Sequence, residues 1–185
     1  ILCKLGDVRN KVILDSGCGM GKMSVFFAIQ GAKVIGIDKD GKRIDMAISL
    51  ADSFGVKNSC LFLQECSEKT TIDSGSIDII FSKTTIQYMD REKVLNEYVR
   101  ILKPGGSIAL LENLPYNPFI NLYRFNRWLS ARTEQQREYI NSIRGYITFR
   151  DINRLGTNFS FVERRDYHLF RMMSIYLRSL RRNFL

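Results

Sequence analysis

Five residues in one short stretch, Asp15, Gly17, Cys18, Gly19 and Gly21, are of types that can hold a ligand against the main chain; they lie in KVILDSGCGMGKMS, residues 11–24. Glycine lets a ligand touch bare backbone, and a helix that starts just afterwards offers unpaired N–H groups to an anionic group. A second acid, Asp38, closes the run AKVIGID and is followed by Lys39. A carboxylate there can accept hydrogen bonds from a ligand's donors. A third group, SKTTIQY, runs from Ser82 to Tyr88 and contains Gln87. Metal chemistry has little support. His168 is the single histidine, and Cys3, Cys18, Cys60 and Cys66 show no C-x-x-C pairing, so no metal site is expected.

The glycines restrict the ligand. A phosphate-binding loop needs G-x-x-x-x-G-K-[ST]. Here Gly21-Lys22 is followed by Met23, and Ser16 stands five places before Gly21. A dinucleotide fingerprint, G-x-G-x-x-G, wants its third glycine one residue later than Gly21. The acid Asp15 suits a pyrophosphate poorly. A ligand-free turn would not need three glycines in five residues, each of which raises the entropy lost on folding.

Those residues must be positioned by strands and helices. KVILD is a short β-branched run and reads as a buried strand. Residues 20–30 suit a helix ended by Gly31, and AKVIGID reads as a second strand. Ile44, Ala47, Ile48 and Ala51 have helical spacing, closed by Gly55. CLFLQE and SIDIIFS read as the third and fourth strands. REKVLNEYVRIL is an amphipathic helix stopped by Pro104, Gly105 and Gly106, and SIALLEN is a fifth strand. This alternation predicts an α/β fold: a doubly wound, mostly parallel sheet with helices on both faces, binding its ligand at the strands' carboxyl ends. Asp15, Asp38 and Glu112 all fall at such ends.

The pattern D-x-G-C-G-x-G, together with VIGID, DIIFSKTTIQYM and RILKPGGSIALLE at this spacing, resembles the class I S-adenosylmethionine-dependent methyltransferases, near the quinone-biosynthesis group, over residues of about 11–113. The resemblance implies a Rossmann-like methyltransferase fold and S-adenosylmethionine as cofactor, released as S-adenosylhomocysteine. It implies a binding set of Asp15, Ser16, Gly17, Cys18, Gly19, Gly21, Asp38, Lys39, Ser82 and Gln87, with Tyr88 an alternative to Gln87. Asp38 would take the ribose hydroxyls and Lys39 lie along the adenine. Asp15 would face the ammonium group or a water contacting it. Two departures stand out. Cys66 occupies the place where such enzymes often carry an acid for the adenine amino group, leaving Glu65, or the backbone of Cys66 and Ser67. Only ten residues precede Lys11, and no seventh strand is evident. A fragment or a short member with an open cofactor cleft is therefore expected.

The second part differs in charge. Residues 1–113 carry 15 basic and 14 acidic residues, whereas residues 114–185 carry 13 basic, all arginine, and 5 acidic. We read 1–113 as the cofactor-binding core and 114–185 as an acceptor-side segment of the same domain. That segment holds a helix over residues 117–132 and a polar helix from a Thr133 cap. It also holds a short helix at 148–156, a sixth strand at 159–169 and a basic helix at 171–182. No membrane span or secretion signal is evident, and the scattered thiols fit the cytoplasm. Methyl transfer from a sulfonium is an in-line displacement, with Glu112, Tyr116 and His168 as candidate bases. The expected acceptor is a small molecule, lipophilic or acidic. Two alternatives are an RNA methyltransferase, its arginines meeting phosphate, and a non-catalytic cofactor-binding partner subunit. The arginines also suit an anionic membrane surface. NLPY resembles the N-P-P-Y of base-methylating enzymes but follows the wrong strand.

Overall fold

The computed structural model describes residues 5–112 and 118–142, with positions 150, 153, 157 and 159–163. Ile1–Glu112 and Asn113–Leu185 form two compact units.

The first unit alternates strand and helix as its sequence requires, except between its third and fourth strands, which a loop connects. Strand β1 (Val12–Ser16) leads to helix α1 (Lys22–Ile29), β2 (Lys33–Asp38) to α2 (Gly41–Ser53), and then come β3 (Cys60–Gln64), β4 (Ile77–Lys83), α3 (Arg91–Ile101) and β5 (Leu102–Leu111). The sheet order is β3-β2-β1-β4-β5, and every pairing is parallel. The order reverses between β1 and β4, so the loops leaving those strands part and open a crevice.

Both faces of the central strands β1, β2 and β4 are covered, which is why these strands read as continuous apolar runs, whereas the edge strands β3 and β5 stay partly exposed. On one face Ile13, Val34, Ile79 and Phe81 pack with Val8, Phe27 and Ala28, and the rings of Phe27 and Phe81 meet edge to face at 5.2 Å. Leu14 and Ile80, the next residues along β1 and β4, are fully buried and by strand alternation face the other side. Helix α3 buries Val94, Tyr98 and Ile101.

Three polar ties fix the strand connections. Asp78 accepts the Val12 N–H at 2.8 Å and pairs with Lys103 at 2.9 Å, joining β4 to the start of β1 and to β5. Glu97 on α3 accepts the Thr70 N–H and Oγ1–H, both at 2.7 Å, and takes Arg100 through both its oxygens. Arg100 and Thr70 hold its carboxyl down to about 2. This clamps the β3–β4 crossover onto α3. Asp40 and Asp90 cap α2 and α3 by accepting the N–H groups of Lys42 and Lys93.

Strand β5 differs from the reading of the sequence. It begins at Leu102, directly after α3, and not at Ser107. Pro104, Gly105 and Gly106 lie within it, at an irregularity that sets Ile77 opposite Leu102 but Ile79 opposite Ser107. An edge position tolerates a proline that a central strand would not.

In the second unit, helices α4 (Pro118–Leu129) and α5 (Glu134–Ser142) fall within the spans read from sequence. Thr133 Oγ1 accepts the Gln136 N–H at 3.3 Å, and Gln136 Oε1 accepts the Arg132 N–H at 3.1 Å, a reciprocal cap. The Arg137 guanidinium lies 5.7 Å over the Trp128 ring. The expected sixth strand is not formed at 159–163, which carry bends and irregular backbone; the remainder of that span, the basic helix at 171–182 and all but two positions of the helix at 148–156 lie outside the described residues. No described helix is long and apolar enough to cross a membrane.

Candidate functional site

The glycine loop is held open by its neighbours. Gly17, Gly19 and Gly21 all have left-handed backbone, with φ of 71°, 55° and 75°. The N–H groups of Gly17 and Cys18 both donate to Ile37 O at 2.9 Å, seating the loop on the end of β2. The three glycines serve different needs. A Cβ on Gly17 would overlap the Thr85 methyl, and one on Gly21 would come within 2.7 Å of Ala47 Cβ. A Cβ on Gly19 would meet nothing within 4 Å. Two glycines are therefore demanded by packing, and Gly19 faces open space. Helix α1 starts from Gly21 with no side-chain cap, unlike α2 and α3. Gly21 offers no capping side chain, and Asp15 reaches this first turn only at Ser24, leaving the N–H groups before it for another acceptor.

Asp38 binds the loop to β2. Its Oδ2 accepts the Gly19 N–H at 2.9 Å and its Oδ1 accepts the Asp40 N–H at 3.0 Å. Each carboxylate oxygen has capacity for a further donor. Lys39 beside it is exposed.

Asp15 is 2% exposed and accepts the Ser24 Oγ–H at 2.6 Å, so one of its oxygens turns to the first turn of α1. Burial raises its carboxyl to about 6, opposed by the Ser24 hydrogen bonds. Between the ordinary carboxylate value and about 6, the folded chain holds a proton that the unfolded chain has released. Stability from this group is full below that window and is lost as pH rises through it. Relative to wild type, Asp15→Asn should gain roughly 2–3 kcal/mol of unfolding free energy between pH 4 and 7. Urea titrations at both values test this, and a pH-independent difference would refute the assignment. The Cys18 thiol is also driven upward, chiefly by burial, and stays neutral. Its sulfur would lie 3.2 Å from a Cβ on Gly36, whose bare backbone also admits the Phe62 ring.

A buried hydroxyl network joins the other loops. Tyr98 OH donates to Ser16 Oγ at 2.6 Å, and Ser16 Oγ lies 2.7 Å from Ser67 Oγ. Burial pushes the phenol up to about 12, so it remains a donor. Ser82 Oγ lies 2.8 Å from Thr85 Oγ1, which donates to Ser16 O at 3.2 Å. The ends of β1, β3 and β4 thus meet at Ser16.

The other residues singled out from the sequence take these places. Glu65 turns its carboxylate to Thr71, accepting the N–H at 3.1 Å and the hydroxyl, while exposed Cys66 bridges to Lys69. Gln87 is 8% exposed and Tyr88 48%. Glu112, half-buried, accepts the N–H groups of Thr85 at 3.0 Å and Ile86 at 3.2 Å through Oε1. Burial raises its carboxyl. Tyr116 and His168, the other candidate bases, lie outside the described residues.

Sequence reading missed Ser24, Thr85 and Tyr98. Only Tyr98 carried a signal: a phenol on the apolar face of an amphipathic helix needs a buried partner.

A parallel sheet whose first four strand ends converge on a glycine loop, with an acid closing the second strand, defines a Rossmann-like α/β domain. The family model described as "Methyltransferase domain" matches residues 14–110, just over half the chain. The chain belongs to that family, the class I S-adenosylmethionine-dependent methyltransferases. It is 25% identical over 117 residues to sterol 4-C-methyltransferase strm-1 of Caenorhabditis elegans, covering 63% of this chain and 35% of that protein. It is 30% identical over 119 residues to sterol 24-C-methyltransferase of Pneumocystis carinii, covering 62% and 31%. The chain thus spans about a third of the length of these curated relatives. Its fold is similar to that of geranyl diphosphate C-methyltransferase from Streptomyces coelicolor, crystallised with Mg2+, geranyl diphosphate and S-adenosyl-L-homocysteine. The TM-score is 0.66 at 17% identity, over 85% of this chain and 57% of that one.

Proposed function

We propose that this chain binds S-adenosylmethionine and transfers its methyl group to a small-molecule acceptor. The observation that carries the reading is Gly19: left-handed, with open space where a Cβ would stand and its N–H held by Asp38. That bare backbone fits a ligand lying on the loop. The donor set fits as well, since an acid at the loop's start opposes phosphate but favours a cation.

Asp38 would receive the ribose hydroxyls on the capacity left after Gly19 and Asp40. Ser16, Gly17, Cys18, Gly19 and Gly21 would form the floor, and the uncapped start of α1 would face the carboxylate. Buried Asp15 would favour the ammonium and sulfonium through its field, held in place by Ser24. Lys39 and the backbone of Cys66 and Ser67 would border the adenine; Glu65, engaged by Thr71, would act there only through that loop. Ser82 and Gln87 would border the methyl group. Bound there, S-adenosylmethionine supplies a methyl group already activated by its sulfonium. The protein's part is alignment and exclusion of water. The relatives named for sterols favour a lipophilic acceptor. The thiols fit a cytoplasmic setting.

Calorimetry with S-adenosylhomocysteine tests the reading. One-to-one binding is expected, with none for ATP or NAD under the same conditions. Preference for a phosphate-bearing nucleotide would overturn it.

A further inference from the structure

The turn after β4 holds features that folding alone leaves unexplained. Thr84, a β-branched residue, is left-handed with φ 54°, a conformation costly for that side chain. Gln87 is buried, and its Nε2 donates to Thr84 O at 3.3 Å. That bond sets the orientation of the amide, because the reverse assignment would place oxygen against oxygen. Gln87 Oε1 is then buried with no hydrogen-bond partner. Glu112, at the end of β5, spans the same turn through Oε1, while its Oε2 is buried with no partner. Among the described residues these are the only buried side-chain polar atoms without a hydrogen bond. Unpaired buried acceptors are uncommon, and each calls for a donor.

We propose that Gln87 Oε1 and Glu112 Oε2 form a recognition point for a hydrogen-bond donor on the methyl acceptor, a hydroxyl or an amine N–H. This rests on the methyltransferase reading and adds a substrate class to it: an acceptor with an O–H or N–H at its reactive end. Both atoms are acceptors and one belongs to a carboxylate, so the point favours donors and rejects ethers, esters and phosphates. Thr85 links it to the floor of the cofactor loop through Ser16 O and the bare face of Gly17.

The test uses the full chain saturated with S-adenosylhomocysteine and a pair of isomers, 1-octanol and 1-methoxyheptane. They match in size and apolar character, but only the first donates. Titration followed by protein-observed NMR should show octanol binding at least ten-fold more tightly. The ratio should fall to within about two-fold in Glu112→Gln, which keeps an oxygen for the Thr85 and Ile86 N–H groups, and in Gln87→Met. Equal binding by the isomers, including none by either, would overturn the proposal. So would a ratio that survives both substitutions. A variant that loses both isomers and S-adenosylhomocysteine together would mark a purely structural role and refute it. Failure of the cofactor reading looks different: S-adenosylhomocysteine would not bind the wild-type chain at all, whatever the isomers did.

Discussion

Replacing Gly17 with alanine is expected to destabilise the chain by roughly 3 kcal/mol or more, whereas alanine at Gly19 should cost only about 1–2 kcal/mol. Both positions are left-handed, so each variant carries the strain of an L side chain there. The difference lies in what surrounds them. At Gly17 the new methyl would overlap the Thr85 methyl, and Thr85 cannot easily withdraw, because its hydroxyl is tied to Ser82 and Ser16 and its N–H to Glu112. At Gly19 there is free volume. Ligand binding should show the opposite order relative to stability. Gly19→Ala should remain folded yet lose S-adenosylhomocysteine affinity by more than ten-fold, since its methyl occupies the space assigned to the ligand. Adding Thr85→Ser to Gly17→Ala removes the clashing methyl while keeping the hydroxyl, and should recover about 1 kcal/mol or more. Urea unfolding and calorimetry on the same preparations decide the matter. Equal destabilisation at the two glycines would show that the packing argument is wrong.

Asp38→Ala should weaken S-adenosylhomocysteine binding by about ten- to a hundred-fold, the scale of hydrogen bonds to a charged group. Two losses combine. The ribose loses its acceptor, and the Gly19 and Asp40 N–H groups lose theirs, so the loop is no longer tied to β2. Asp38→Asn separates the two effects. It keeps one oxygen for a backbone N–H but removes the charge and one acceptor, so an intermediate affinity is expected. Unchanged binding in Asp38→Ala would remove the ribose from this carboxylate and the central contact from the proposed function.

Glu97 shows how little of the scaffold's wiring is written locally. In sequence it is one acid of an amphipathic helix. In the fold it is almost fully covered and gathers Thr70 and Arg100 around one carboxylate. Asp15 is the reverse case. Its place at the loop's start was legible, but its hydrogen bond to Ser24 was not, because that needed the first turn of α1 to fold back over the strand end. The glycines read from the sequence as a ligand loop, yet two of the three answer to packing partners, Thr85 and Ala47, that no local pattern reveals.

The sequence by itself determined the order of strands and helices in the first unit, the parallel character of the sheet, and the placing of Asp15, the glycines and Asp38 at strand ends. Those are local properties: apolar runs, helical spacing and turn residues act over a few neighbours. Only the tertiary structure decided which residues complete the site. Tyr98 lies 82 positions from Ser16, and Thr85 lies 69 from the carbonyl it meets. Such partners are brought together by the reversal of strand order between β1 and β4, and no local spacing carries that information.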